Sequence, residues 1–291
     1  MRCDLTRPVC PMLLSVAFVM LTGSVLAADH GDSPLLTSIP RHDARITDLH
    51  VFTEGSNLVL SLCTNPAIPP GARDYVFPSD LTLKLSIDNH GPVAFDDPVA
   101  NESYGGRLLQ PGGVAADITF EVTFEFGAPQ LRLEGLPASA AQQISLFAGL
   151  RDDPFIRGPR LGRNVAALVL EMPLAMVLGE GDTLLVWATS KIPDVRGRIS
   201  EHAGRALRSM FLANDVMNTS SPSNHWNDYE LVPDVVILNV SQPVGYPNGR
   251  LLTDDVVDLT AIPAILANDA PFPSENDVPF LEVFPYLAPP Q

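Results

Sequence analysis

Residues 117–126 read D-I-T-F-E-V-T-F-E-F. Ile118, Phe120, Val122, Phe124 and Phe126 alternate with Thr119, Glu121, Thr123 and Glu125. A period of two with one polar face is an antiparallel strand, apolar towards a core and wet on its other side. The same period runs through L-T-L-K-L-S-I at residues 81–87, where Leu81, Leu83, Leu85 and Ile87 share one face. Seven further segments are strand-like, some apolar on both faces: ITDLHVF, NLVLSLC, QLRLEG, QISLFAG, NVAALVLEM, TLLVWAT and DVVILNV. Turn residues punctuate them. Glu54-Gly55-Ser56-Asn57 joins the first two as a hairpin, and Gly127-Ala128-Pro129 joins another pair. About nine strands with such punctuation predict a mainly β chain: an antiparallel β-sandwich with a few short helices and long loops.

Helices are expected in two places. Ile199, Ala203, Ala206 or Leu207, and Met210 space an amphipathic helix over residues 198–212, with His202 beside Glu201 on it. A second is expected in LLTDDVVDLTAI, with Asp254 and Asp255 near its N-terminus. Residues 218–229 (NTSSPSNHWNDY) are polar and rich in turn formers, and read as a long surface loop.

The chain has 291 residues, 28 of them Pro, near twice the usual share of roughly 5%. That content excludes an all-helical bundle. With 34 acidic against 18 basic residues the formal charge is −16. A chain so acidic repels phosphate, which argues against nucleic acid and anionic membrane surfaces as partners.

Residues 1–27 read as a signal peptide. Arg2 and Arg7 precede an apolar stretch at residues 12–26, and Val25 and Ala27 are small residues suited to cleavage before Ala28. No later stretch is long and apolar enough for a transmembrane anchor. Residues 28–291 are expected to form a single β-rich domain in the periplasm or outside the cell, with a Pro-rich C-terminal tail packed on it. Cys3 and Cys10 leave with the leader, so Cys63 has no internal partner, and a packed strand residue is the simplest role for it.

No nucleophile elbow, zinc-protease, C-x-x-C or phosphate-loop motif is present. Three strings remain as candidate sites. In GLRDDPF, residues 149–155, Arg151, Asp152 and Asp153 form either a polar ligand site at the rim or a structural turn at Asp153-Pro154. In PNGRLLTDDVVDL, residues 247–259, a helix would gather Asp254, Asp255 and Asp258, carboxylates able to bind a cation or to work as acid and base. In SIDNHGP, Asp88 with a distant Asp117 is a candidate calcium loop, although His90 and Gly91 break the helix-loop-helix spacing. His225 and Trp226 lie in the long loop as candidate ligand residues, the Trp beside Asn and Tyr being either a ring for stacking on a glycan or a hydrophobic plug. Cleavage before Ala28 would leave Ala28, Asp29 and His30 as a nitrogen-rich square plane for Cu(II) or Ni(II).

Taken in order, DHGDSP (29–34), DARITDLHVF (43–52), LSIDN (85–89), GLRDDPF (149–155), LLVWATS (184–190), PNGR with DDVVDL (247–259) and FPYLAPP (284–290) resemble a bacterial exported family, the domain of unknown function family 4331. The resemblance spans nearly all of residues 29–291 and implies an exported, single-domain β-rich protein. The chain departs from the family pattern at Asp88-Asn89-His90-Gly91, where the family carries an acidic turn, and over residues 199–229.

The expected function is that of an exported, non-catalytic binding protein for a small molecule, glycan or protein. The alternatives are a metalloprotein, with copper or nickel at the N-terminus or calcium in an acidic loop, and a hydrolase built on the carboxylates above.

Overall fold

A computed structural model of the chain describes residues 30–156, 162–193, 199–211, 214–259 and 273–291. Twelve strands lie among them: β1 (Ile46–Glu54), β2 (Asn57–Thr64), β3 (Thr82–Asp88), β4 (Val93–Ala94), β5 (Arg107–Leu108), β6 (Ile118–Glu125), β7 (Ala128–Glu134), β8 (Ser145–Asp152), β9 (Asn164–Pro173), β10 (Thr183–Lys191), β11 (Glu201–Ala203) and β12 (Val236–Asn239). Every pairing is antiparallel. One sheet has the order β1-β2-β9-β8. The other runs β11-β10-β3-β6-β7, with β12 sharing the edge of β10 that β11 occupies. The two sheets pack as a mainly β antiparallel sandwich.

The alternation seen in the sequence builds the core. Leu49 and Val51, Leu58, Leu60 and Leu62, and Leu168 and Leu170 of the first sheet meet Leu83 and Leu85, Phe120, Val122 and Phe124, and Leu184 and Val186 of the second. Phe126 is a correction to the expected register. The hairpin pairs Glu125 with Ala128, so its two-residue turn is Phe126-Gly127, and the Phe126 side chain is 97% exposed. Glu121 is half-buried and pairs with Lys84 at 2.5 Å.

The first sheet is covered on its outer face as well. Phe52, Val59, Cys63, Val165, Ala167 and Val169 pack there against Leu252, Tyr286 and Leu287. This second cover explains why β9 reads as apolar on both faces. The end of the Pro-rich tail is bonded to the first sheet. Ala288 O accepts from Asp152 N at 3.2 Å, and Gln291 and Asn164 exchange two bonds of 2.9 Å. No described helix is long and apolar enough to cross a membrane. Residues 1–27, where the leader is expected, lie outside the described residues.

Two expected elements are corrected. Glu201–Ala203 is strand β11, paired with Ser190 to Ala188 of β10, and the only described helix in residues 198–212 is the short Arg208–Phe211. A free edge of β10 offers hydrogen bonds there. Gly204 then lets the chain press against Asp234, where a Cβ would lie 2.4 Å from backbone atoms. The presumed loop at 218–229 contains a helix, Pro222–Tyr229, begun by Pro at its first position. The second expected helix is present over Val256–Leu259.

Candidate functional site

The rim string is closed over. Asp152 is 1% exposed and Asp153 5% exposed. Asp152 accepts from Asn276 Nδ2 at 2.7 Å and Gln291 Nε2 at 2.8 Å, so it ties down the tail. Burial raises its pKa to about 6 against these bonds. Asp153 Oδ1 accepts from Phe155 N at 3.1 Å, which makes the local turn. Arg151 forms no carboxylate pair among the described residues. Its Cζ sits 3.9 Å from the Phe147 ring centre, and Nη1 donates to Leu150 O at 2.9 Å.

The three aspartates at 254–258 do different work. Asp254 Oδ2 accepts from Tyr246 N at 2.8 Å and Leu251 N at 2.7 Å. Asp255 is buried and accepts from Val257 N at 3.2 Å and Asp258 N at 3.3 Å, an N-terminal cap. Asp258 is exposed.

Asp88 and Asp117 do meet, across the turn that joins β3 to the following loop. Asp88 Oδ1 accepts from His90 N at 3.0 Å and Gly91 N at 2.6 Å, and its Oδ2 accepts from Ala115 N at 3.1 Å. Asp117 Oδ2 accepts from Asn89 N at 2.9 Å and faces His90 Nδ1 at 3.0 Å. The turn thus points N–H groups at both carboxylates, where calcium needs oxygens.

His30 is buried, with Nε2 donating to His202 O. It is not on the free end that a Cu(II) plane requires; Ala28 and Asp29 lie outside the described residues. The neighbouring residues are pinned too: Gly31 N donates to Ser209 Oγ at 3.1 Å and Ser33 Oγ to Ser200 O at 3.0 Å. His225, expected as a ligand residue in a surface loop, lies instead on the helix Pro222–Tyr229 and faces inward. Its ring is fully buried, Nε2 donating to Met217 O at 2.9 Å and Nδ1 accepting from Asp234 N at 3.1 Å. His202 lies edge-on to it, centroids 5.1 Å apart. Burial lowers the pKa of all three histidines, that of His202 to about 3. Trp226 is partly exposed beside the turn at Gly112. Among the described residues no three His, Cys, Asp or Glu form a group that could hold a metal ion.

A cleft that the sequence did not single out lies where the helix Pro98–Tyr104 meets the turn after β12. That helix ends at Gly105, φ 74°, where any Cβ would strike Pro247 O at 2.4 Å; glycine therefore sets the approach of the two walls. The cleft encloses about 440 Å³ and is lined by Phe95, Asn101, Asn239, Gln242 and Asn248 with Gly105 and Pro247. None of these carries a titratable side chain. Its floor is preset. Asn248 donates to Asn239 O at 3.0 Å and Pro243 O at 2.9 Å, and accepts from Asn239 N at 2.7 Å. Asn101 Nδ2 donates to Phe95 O at 2.9 Å. Phe95 remains 40% exposed, and Gln242 lies exposed on the rim. Asn248 was visible in the sequence only as a turn residue; Phe95 and Gln242 carried no signal.

Fold and cleft together define a β-sandwich with a preformed pocket of carboxamides and one aromatic. Comparisons with protein families, with curated proteins and with solved structures find no match to this chain.

Proposed function

We propose that the protein is an exported, non-catalytic binding protein, related to the family it resembles, whose ligand is a neutral, hydroxyl-rich small molecule of the glycan class. The observation that carries this reading is the chemistry of the cleft: about 440 Å³ lined by Phe95 and the carboxamides of Asn101, Asn239, Gln242 and Asn248, with no acid or base on its walls. That volume lies in the range of small-molecule sites. The exposed Gln242 carboxamide can both donate and accept, as sugar hydroxyls do, Asn239 and Asn248 frame the cleft through their own internal bonds, and a half-exposed ring supplies an apolar face for stacking. General acid–base catalysis needs a titratable group within hydrogen-bond reach of the reacting atom, and the walls supply none. Preset Asn239 and Asn248 lower the ordering cost of binding.

A glycan array, followed by calorimetry on the retained saccharide, tests the reading. Phe95→Ala and Gln242→Ala alter exposed side chains and should leave folding intact. Each should weaken binding at least tenfold. An empty array, or binding that survives both changes, would refute it.

A further inference from the structure

Strand β7 ends the second sheet, and its outer edge is open. Ala128–Glu134 is the one described strand longer than two residues in which no residue is buried. It pairs with β6 alone, and among the described residues no other backbone hydrogen bond reaches it. The two-residue turn at Phe126-Gly127 makes Glu125 and Ala128 a hydrogen-bonded pair, so Gln130, Arg132 and Glu134 also turn their backbone groups towards β6. Leu131 and Leu133 therefore direct theirs outward, and Pro129 has no N–H to direct. Each edge of the first sheet, by contrast, carries bonds from elsewhere in the chain. Arg250 exchanges two with Val51 of β1, at 3.1 and 2.7 Å, and Ala288 O accepts from Asp152 N of β8 at 3.2 Å.

This side of the sandwich also leaves apolar surface uncovered. Leu131 and Leu133 pack towards the core yet stay half-exposed, as do Leu146 and Ala148 of β8. The other face of β7 carries charges in a self-complementary order. Arg132 and Glu134, two residues apart, share that face; their side chains are 69% and 50% exposed and bond each other at 3.0 Å. Glu121 pairs with Lys84 and lies 3.7 Å from Arg132, so two acids balance two bases at this edge.

An open edge is a template for a further strand, and the sequence of β7 selects one register against an antiparallel copy of itself. Centred on Arg132, the copies set guanidinium against guanidinium, and like charges directly opposite are destabilising. Centred on Leu131, Leu133 meets Pro129 of the second copy, which cannot donate. Centred on Leu133, the two Leu133 residues exchange N–H···O bonds, and each Arg132 stands opposite Glu134 of the second copy. Those flanking positions are non-hydrogen-bonded, where facing side chains approach most closely. The result is a ring of four alternating charges on one face, with the two Leu133 side chains together on the other.

We infer that β7 is a homodimer interface, in which two copies join their second sheets across a twofold axis at Leu133. The contact is isologous and closes at two copies. The formal charge of −16 opposes approach at long range. Salt at roughly 0.1 M screens that field within about 10 Å, and the charges at the contact itself are balanced. The interface is separate from the carboxamide cleft and does not depend on the ligand proposed there.

Sedimentation equilibrium of the purified protein over a wide range of concentration tests the inference. The wild type should show a monomer–dimer equilibrium. Arg132→Glu and Glu134→Arg alter exposed side chains, each sets like charges opposite one another, and each should weaken association at least tenfold. A mixture of the two variants should dimerise again, because each supplies the charge that the other lacks, and that recovery also shows both to be folded. A wild type that stays monomeric throughout would overturn the inference. So would a dimer that both variants leave unchanged, or one that mixing them does not restore.

Discussion

His50 illustrates what burial does to a single side chain. It lies on β1 opposite Ser61, is fully buried, and neither ring nitrogen has a partner. Burial lowers its pKa from 6.5 to about 3. The sign of the pH effect follows. As pH falls below 6.5 the unfolded chain takes up the proton first, so stability is present above 6.5 and is lost towards 3. One such group gives a slope of about 1.4 kcal/mol per pH unit. Glu201 and Asp152 act in the opposite sense. Burial raises their pKa, so the fold holds their protons to higher pH, and their contribution is lost as pH rises. A variant isolates the histidine. His50→Leu removes two unsatisfied polar atoms and should gain about 1–3 kcal/mol at pH 7. Between pH 6 and 4 its urea-unfolding free energy should fall less steeply than wild type by about 1.4 kcal/mol per pH unit. Parallel slopes would mean that this ring is protonated alike in both states.

The β6–β7 hairpin tests the same logic on an element. Phe126 and Gly127 form its two-residue turn with φ of 51° and 81°. Positive φ at both positions is the geometry that favours Asn-Gly, and a bulky residue there is strained by about 1–2 kcal/mol. Since the Phe126 ring is almost wholly in water, Phe126→Asn should stabilise the protein by about 1 kcal/mol in urea melts. A loss of stability would show that the ring makes contacts in solution. The alternation in β6 was legible in the sequence because every other side chain meets one core. Its last member was not, since a fifth apolar residue in phase says nothing about where the chain turns. The nine alternating or apolar segments all became strands for this reason. β11 did not announce itself: three residues long, it is a strand because β10 has an open edge, and Glu201 and His202 satisfy their polar groups through tertiary bonds. Glu201, for instance, accepts from Ile46 N at 3.0 Å. The helix Pro222–Tyr229 was hidden by composition, as it buries His225 and Pro222 in place of an apolar stripe.

For the whole molecule, the candidate site was the least legible part, because distance in sequence separates its parts. Phe95 and Asn248 line one cleft from opposite halves of the chain. Conversely, the strings that looked like sites, GLRDDPF and DDVVDL, hold the tail and the loops in place. The tail itself was legible from its aromatic residues, and its role can be tested through Cys63. This thiol is buried on the outer face of the first sheet, under Tyr286 and Leu287, and burial raises its pKa well above the usual value. Both the cover and the protonation protect it from thiol reagents, since only the thiolate reacts. Tyr286 also donates to Glu171 at 2.9 Å, and Gln291 bonds Asn164 and Asp152, so the cover is held at both ends. Removing residues 280–291 takes away the buried Tyr286 and Leu287, each contributing about 1.5–3 kcal/mol. The shortened chain should still fold, because the core between the sheets draws on none of these residues. It should be less stable by roughly 3–6 kcal/mol. Cys63 should then react with 5,5′-dithiobis(2-nitrobenzoate) under native conditions, whereas the full chain should react only on unfolding. Equal protection of Cys63 in both proteins would show that the sheet, and not the tail, shields the thiol.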